Sequence, residues 1–177
     1  MESVNKLEKT IEGWLKPIPH LPATWRKWLG ENLWWLTLIG VILSVIAVFT
    51  IIGAMFTAMS FLGSVNSIYG MYGITTASYS GWWMMASVAS LVFMVVTVAI
   101  SSMAISPLKV QKKKGWDLLF LVFIVNIVSS VVSVILNFNM MTLIPGLIGT
   151  AIGAAISAYF LLEVKSQFNG VTAVSKK

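Results

Sequence analysis

The sequence predicts an all-α fold: a four-helix transmembrane bundle with an N-terminal interfacial amphipathic helix. Of the 177 residues, 58% are hydrophobic and only 10% are charged, whereas soluble domains usually have about 25% charged residues. No charged residue occurs between Glu31 and Lys109, or between Asp117 and Glu163. A short basic loop, 107–115, separates these two apolar blocks. Such blocks are stable in hydrocarbon, and such a loop is stable in water.

The N-terminal segment, residues 1–31, is predicted to lie on the cytoplasmic membrane surface. In 2–16, apolar side chains recur at helical spacing, and charges of both signs occupy the other positions. Three prolines between 17 and 22 end that helix. A second short amphipathic stretch, 23–30, combines tryptophan with basic residues, which favours the head-group region. A helix packed against cytoplasmic loops, or a partner-binding arm, is the alternative interpretation.

Four apolar runs predict four spans within residues 32–163. The spans are 33–62, 82–105, 116–136 and 144–162. At about 1.5 Å per residue, each is long enough for the hydrocarbon layer of about 30 Å. The first run is longer than the layer requires, so it must tilt, project or bend. Residues 164–177 are predicted to form a basic cytoplasmic tail.

The basic residues predict the orientation. All 12 lysines and arginines fall in the N-terminal segment, the central loop or the tail, and four spans place these on one side. The positive-inside rule makes that side cytoplasmic, with both termini there. A three- or five-span chain would leave one cluster outside. We expect a multi-pass protein of the plasma (inner) membrane.

Membrane lipids, especially anionic ones, are the expected partners of the basic residues. A nucleic-acid partner is not expected, because every basic cluster adjoins a span. The predicted head-group contacts are Arg26, Lys27, Lys112, Lys113 and Lys114.

Few residues suggest chemistry. The chain has no cysteine and a single histidine, His20, with no obvious partner nearby in sequence. It has no phosphate-binding loop, metal-ligand spacing or nucleophile motif. No ionisable residue lies deep within a predicted span, which argues against ion-coupled transport. We expect neither an enzyme nor a catalytic residue, metal or cofactor.

The third span carries a candidate polar face. Asn126, Ser130, Ser133 and Asn137 recur near helical spacing, so they should turn inward and bond neighbouring helices. This pattern favours interhelical contacts. Its alternative is a polar strip that lines a small pathway.

The fourth span carries small residues every fourth position, at Gly149, Gly153 and Ser157. Small side chains let two helix backbones approach closely in lipid. These residues therefore predict a helix contact, either within the chain or with another copy.

Three acidic residues are predicted at the cytoplasmic rim. Glu31 and Asp117 are expected at helix N-termini, where the helix dipole favours them, and Glu163 at a C-terminus, where it does not. Glu163 should therefore pair with a cation, either Lys165, Arg26 or a lysine at 112–114.

The run Lys112-Lys-Lys-Gly-Trp-Asp-Leu-Leu-Phe120, with a serine-rich third span after it, resembles a group of small bacterial four-span membrane proteins. The Gly-Thr-Ala-Ile-Gly-Ala-Ala-Ile fourth span, which ends near Glu163-Val-Lys165, adds to that resemblance. The resemblance covers about the second half of the chain and the general plan of the first. It implies a multi-pass bacterial inner-membrane protein and transfers no functional residues.

The expected function is that of a non-enzymatic scaffold or accessory subunit that acts through helix–helix contacts. Helix-contact patterns without buried ionisable groups favour it. The partner would be another membrane protein or a second copy. The alternative is a small channel or carrier that uses the polar face of the third span.

Overall fold

The computed structural model describes residues 10–13, 18–73, 77–136 and 140–168, and the side chains of these except 77–83 and 140–143. Its four long helices are α1 (Ala23–Met71), α2 (Ala77–Lys109), α3 (Lys113–Leu136) and α4 (Met140–Lys165). A 3-10 turn, Ser166–Phe168, follows α4. The predicted all-α four-helix bundle is confirmed.

All four helices are long and apolar enough to cross a membrane. Each neighbouring pair in sequence packs side by side, and α1 also meets α4. The chain is therefore that of a multi-pass membrane protein. We call the end with the α2–α3 loop the basic end, and the opposite end the neutral end.

Helix α1 is longer than its predicted span. Its 49 residues extend about 74 Å, and they include the stretch 23–30 that was expected as a separate surface piece. The helix begins directly after Pro22, whose carbonyl accepts hydrogen bonds from the backbone of Trp25 and Arg26 at 3.0 and 3.1 Å. Gly30 lies inside the helix under the side chain of Gln167, where a Cβ would be only 2.7 Å from two of its carbons. This close approach explains a glycine there without a helix break.

The basic loop is a tight turn rather than a free linker. The backbone N–H of Gln111 and of Lys112 donates to the carbonyls of Leu108 and Pro107, both at 2.9 Å. Gln111 adopts a left-handed conformation, with φ of 51°. Gly115 packs so closely that a Cβ would be 2.7 Å from the backbone nitrogen of Leu108. The turn thus brings α2 and α3 together with backbone against backbone.

The observed helix ends correct two predicted positions. Neither α1 nor α3 has an acidic residue in its first turn. Glu31 lies well inside α1, because that helix already starts at Ala23, and Asp117 lies beyond the first turn of α3, because Lys113 and Lys114 precede it. The prediction that helix dipoles stabilise these two carboxylates at N-termini was therefore wrong.

Proline lies inside two helices. Pro107 is in the last turn of α2, not just past its end, and Pro145 is inside α4, which starts earlier than the predicted span. Neither proline lies in the first turn, so each helix lacks one backbone bond to the carbonyl four residues earlier, near the end of the helix.

Most buried residues lie in one cluster at the basic end. Trp116 stacks on Phe120, with ring centroids 5.3 Å apart, and the Trp116 indole donates to the carbonyl of Leu161 at 2.8 Å. The buried cluster consists of Ala104, Leu108, Trp116, Phe120, Phe123, Ala158, Val164 and Phe168. It joins α2, α3, α4 and the 3-10 turn, so the packing among these elements is concentrated there.

Helix α2 extends past α3 at the neutral end. The hydroxyl of Thr97 on α2 contacts the amide oxygen of Asn126 on α3, which sets these two residues at one height. From there α3 continues for about 15 Å to Leu136, whereas α2 extends for about 30 Å back to Ala77. Helix α2 therefore projects about 15 Å beyond the end of α3.

Candidate functional site

Glu163 is the centre of a polar site at the basic end. It lies in the last turn of α4 and is 8% exposed. Its Oε1 is 2.5 Å from His20 Nδ1, and its Oε2 accepts a hydrogen bond from the Leu21 backbone N–H at 3.2 Å. Arg26 Nε lies 3.7 Å from Oε2. Both carboxylate oxygens are thus occupied by groups from the N-terminal part of the chain.

The environment of Glu163 explains why it tolerates burial. A buried carboxylate is costly unless it is hydrogen-bonded and paired with a positive charge. The Leu21 N–H and His20 ring donate the hydrogen bonds, and Arg26 supplies the positive charge. Although a third of the Arg26 side chain is exposed, its Nε is buried and makes no hydrogen bond. The carboxylate and the guanidinium therefore compensate each other.

Two further contacts attach the N-terminal part of the chain to α4. The Tyr159 hydroxyl donates to the Pro19 carbonyl at 2.7 Å, and Lys165 Nζ lies 3.3 Å from Glu12 Oε2. Tyr159 and Glu163 are four residues apart, so both lie on one face of the helix. We call residues 18–22 the proline segment; it is held against the last turns of α4.

Of the predicted cations for Glu163, the structure places Arg26 beside it and Lys165 beside Glu12. Sequence reasoning missed His20, which lies 143 residues from Glu163 in the chain. The position of His20 between two prolines gave no signal for this partner. The unfavourable dipole at Glu163 did signal that the carboxylate needed compensation, but not which groups would supply it.

A cavity of about 300 Å³ adjoins these contacts. It is lined by Glu12, His20, Arg26, Tyr159, Leu162, Glu163 and Ser166. Within the described part of the chain, no three histidine or acidic side chains converge as metal ligands. The arrangement holds the proline segment on α4 by hydrogen bonds and charge.

The predicted head-group contacts separate into two groups. Arg26 is half-buried and turned to Glu163, whereas Lys27, Lys112, Lys113 and Lys114 are exposed. Three of these exposed lysines, Lys112, Lys113 and Lys114, lie at the end of the tight α2–α3 turn and the start of α3, and Lys27 lies near the start of α1. They form a cationic surface at the basic end that suits anionic head groups.

The second candidate site is a groove between α1, α3 and α4. Its volume is about 660 Å³. It is lined by Leu33, Leu36, Thr37, Leu119, Val122, Phe123, Asn126, Ile127, Ser130, Gly149, Thr150, Gly153, Ala154, Ser157 and Leu161. The groove brings part of the polar face of α3, Asn126 and Ser130, together with the small residues of α4 in one surface.

Within the described part of the chain, the small residues Gly149, Gly153 and Ser157 of α4 make no close helix contact. A Cβ built on Gly149 or Gly153 would have no atom within 4 Å, and Ser157 is exposed. The described residues supply no contact for these two glycines, and the predicted helix contact stays a prediction. Their faces are open to the groove.

The polar face of α3 is partly in the groove. Asn126 and Ser130 line it, Ser133 is half-buried, and Asn137 lies outside the described residues. One end of the Asn126 amide meets the Thr97 hydroxyl at 3.5 Å. The other end has no hydrogen-bond partner among the groups that the structure describes.

Asn126 also borders a second cleft, of about 360 Å³, on the other side of α3. That cleft is lined by Ser44, Ile51, Ser90, Phe93, Met94, Thr97, Asn126 and Ser129. Asn126 is the residue common to both openings.

The chain matches no family model, no curated protein and no solved structure. The geometry of the two sites is therefore what supports a function.

Proposed function

We propose that this protein is a non-enzymatic scaffold or accessory subunit of a bacterial inner membrane, with both termini in the cytoplasm. It acts through helix–helix contacts in the lipid. The observation that carries this proposal is the open groove, where the glycine face of α4 lies uncovered beside α1 and α3. Anionic lipids contact the exposed lysines of the basic end and fix the bundle in the bilayer.

The groove has the properties of a helix-docking surface. Transmembrane helices associate by van der Waals packing and interhelical hydrogen bonds, because lipid tails are as apolar as the helices themselves. Gly149 and Gly153 let a second backbone approach closely, and Asn126 and Ser130 offer polar groups at membrane depth. A transmembrane helix that enters the groove would use both properties.

The test of the scaffold function compares two glycines. Gly153 and Gly53 are both exposed helical glycines with open space around a built Cβ, but only Gly153 lines the groove. We expect Gly153→Leu to lose the membrane-protein complexes that the parent forms in native membranes, and Gly53→Leu to retain them. Equal retention of every complex by both variants would contradict groove docking.

The second candidate function is a small channel or carrier. The position of Asn126 between two clefts favours it, since a membrane pathway needs hydrogen-bonding groups along its lining. Purified protein in liposomes would show selective flux that Asn126→Leu and Ser133→Leu abolish. Such flux would replace the scaffold proposal, and its absence beside a groove-dependent complex would eliminate the channel.

The orientation has its own test, because the chain has no cysteine. Gln111 is exposed in the basic turn, and Ser67 is exposed near the neutral end of α1. On intact cells, an impermeant thiol reagent should label Ser67→Cys and spare Gln111→Cys. Labelling of Gln111→Cys before lysis would refute a cytoplasmic basic end.

A further inference from the structure

We propose that the helix received by the groove is α4 of a second copy of this chain. This inference rests on the proposed function and names its partner. In the resulting two-fold dimer, the second copy's α4 lies in the groove between α1, α3 and α4. Its glycine face packs on Gly149 and Gly153. The free end of the Asn126 amide bonds the second copy's α4 across the interface.

The amide of Asn126 is the first observation that calls for a partner. It lies ten residues before the end of a 24-residue spanning helix, well inside the apolar part of α3. One of its ends has no partner in the described structure, and its side chain is exposed. Hydrocarbon offers no hydrogen bond to a polar group at that depth. The free end is the amide NH2 group, so a helix that fills the groove would have to supply an acceptor.

The heights of the groups favour a second copy over an unrelated helix. A Cβ on Gly146 of α4 would be 3.6 Å from Val134 of α3, which sets these residues side by side. Since α3 and α4 are antiparallel, eight residues further Asn126 is level with Ala154 and Gly153. Copies in one membrane share one orientation, so residues meet at equal heights across a two-fold axis along the membrane normal. Asn126 of each copy thus arrives at the glycine face of the other.

The second copy also has matching chemistry. Glycine leaves its backbone carbonyl and the neighbouring ones unshielded, so an amide from another helix can reach them. The hydroxyls of Thr150 and Ser157, which line the groove, flank Gly153 on the same helix. One chain therefore carries both halves of the contact, the amide on α3 and the accessible oxygens on α4. Two α4 helices would cross in the centre, with one α3 on each side.

Single-cysteine cross-linking tests the proposal, because the parent has no thiol background. Ser157 lies on the groove face, close to the proposed axis. Met103 on α2 is its matched control: it is 66% exposed, lies at a similar depth, and faces away from the groove. In liposomes at high lipid-to-protein ratio, oxidation should convert Ser157→Cys to a disulfide dimer and leave Met103→Cys monomeric.

A second measurement tests the amide. In the Ser157→Cys background, Asn126→Leu removes two symmetry-related hydrogen bonds from each dimer and should weaken dimer association about tenfold, or about 1.4 kcal/mol for the two bonds together. Asn126→Gln, which keeps an amide, should restore part of the dimer. Val128→Leu on another face of the same helix should leave it unchanged. Unaltered helical circular dichroism in all variants would show that the fold persists.

The outcomes separate this inference from the function on which it rests. The proposed two-fold contact is wrong if Ser157→Cys and Met103→Cys cross-link equally. It is also wrong if Asn126→Leu leaves dimer association unchanged. If the protein is a monomer in liposomes but still forms a Gly153-dependent complex with another membrane protein, the proposal of a second copy is wrong and the scaffold function stands. A monomer without any groove-dependent complex would overturn both.

Discussion

The basic and neutral ends of the bundle satisfy the same physical requirements in different ways. At the basic end, Trp116, Phe120 and Phe168 are almost completely buried, and Glu163 is compensated by groups more than a hundred residues away. At the neutral end, Phe56 and Phe61 are each 67% exposed. The basic end is a protein core, whereas the neutral end depends on what surrounds it.

Polar groups show the same difference. Along α1 beyond its middle, hydroxyls donate to carbonyls of their own helix: Thr57 to Gly53 at 3.0 Å, and Ser64 to Ser60 at 3.0 Å. Such local bonds suit a helix in lipid, where no water is available. Towards the basic end such local bonds also occur, as from Thr37 to the Leu33 carbonyl at 2.7 Å, but Trp116 and Tyr159 donate in addition across to other segments. Tertiary structure at the basic end therefore depends on specific side chains, and at the neutral end much less so.

The largest expected effect comes from the core tryptophan. Trp116→Ala removes a fully buried ring, its stack on Phe120 and its bond to the Leu161 carbonyl. We expect a loss of about 3–5 kcal/mol in the free energy of unfolding. Phe56→Ala, at a 67% exposed site, should cost far less. Thermal denaturation in detergent, followed by circular dichroism, measures both.

Equal destabilisation by Trp116→Ala and Phe56→Ala would contradict the difference between the ends. Destabilisation by Phe56→Ala only under conditions that preserve an oligomer would instead place a protein contact at the neutral end. Unfolding at several protein concentrations distinguishes these results, since only an oligomer depends on concentration.

The second effect concerns two glycines. Gly115→Ala would place a Cβ 2.7 Å from the Leu108 nitrogen and 2.9 Å from the Pro107 carbonyl carbon. Backbone cannot swing aside as a side chain can, so the turn between α2 and α3 must open, at a cost of about 1–3 kcal/mol. Gly53→Ala meets nothing within 4 Å and should be slightly stabilising, since alanine is the better helix former. Denaturation of the two variants in the same detergent gives the comparison.

A stable Gly115→Ala protein would show that the α2–α3 turn is looser than the structure has it. Hydrogen exchange at 107–115 would then be fast in the parent as well, which provides an independent check.

The third effect concerns the charge of Glu163. Glu163→Gln keeps the size of the side chain but removes the charge that faces Arg26, whose Nε is buried without a hydrogen bond. We expect a loss of about 1–2 kcal/mol, at the low end for a charged hydrogen-bonded group because His20 and Arg26 are partly exposed. Glu12→Gln is the control. Its pair with Lys165 is more exposed, and it should cost less than about 1 kcal/mol.

If Glu163→Gln is as stable as the parent, the Glu163 contacts contribute no more to the free energy of unfolding than a surface ion pair does. An equal loss from Glu12→Gln would shift the anchoring of the N-terminal part to the Lys165 pair.

The sequence predicted the helices because hydrophobicity along the chain is a local property. Long apolar runs and one cationic turn were enough for four helices of the right kind. Their ends were less predictable: Gly30 was taken to end a separate short amphipathic stretch, and only the packing of Gln167 shows why α1 continues through it. Nor could hydrophobicity locate the core. Phe56 and Phe120 are the same residue type, yet Phe56 is exposed and Phe120 is buried.

The candidate site was predictable only in part, since its contacts are non-local. The small-residue spacing of Gly149 and Gly153 predicted a helix contact, but not that the contacting surface would be open. An unfavourable dipole at Glu163 predicted a cation. The pairing with His20 depends on the path of the proline segment across the basic end, which no spacing in the sequence encodes.

The smallest expected effect tests the path of the proline segment. It compares the loss of one tyrosine hydroxyl at the basic end with the loss of one at the neutral end. Tyr159→Phe removes the hydroxyl that donates to Pro19, at an expected cost of about 1 kcal/mol. Tyr72→Phe removes a hydroxyl from a residue that is 77% exposed at the neutral end, so its unfolding free energy should barely change. The cost of Tyr159→Phe should also be local, because this bond ties the proline segment rather than the core. Hydrogen exchange should therefore accelerate at residues 18–22 and stay unchanged around Trp116. If hydrogen exchange also accelerates around Trp116, the proline segment and the core unfold together. If exchange at 18–22 does not accelerate, the contacts of Glu163 hold the segment without the Tyr159 bond.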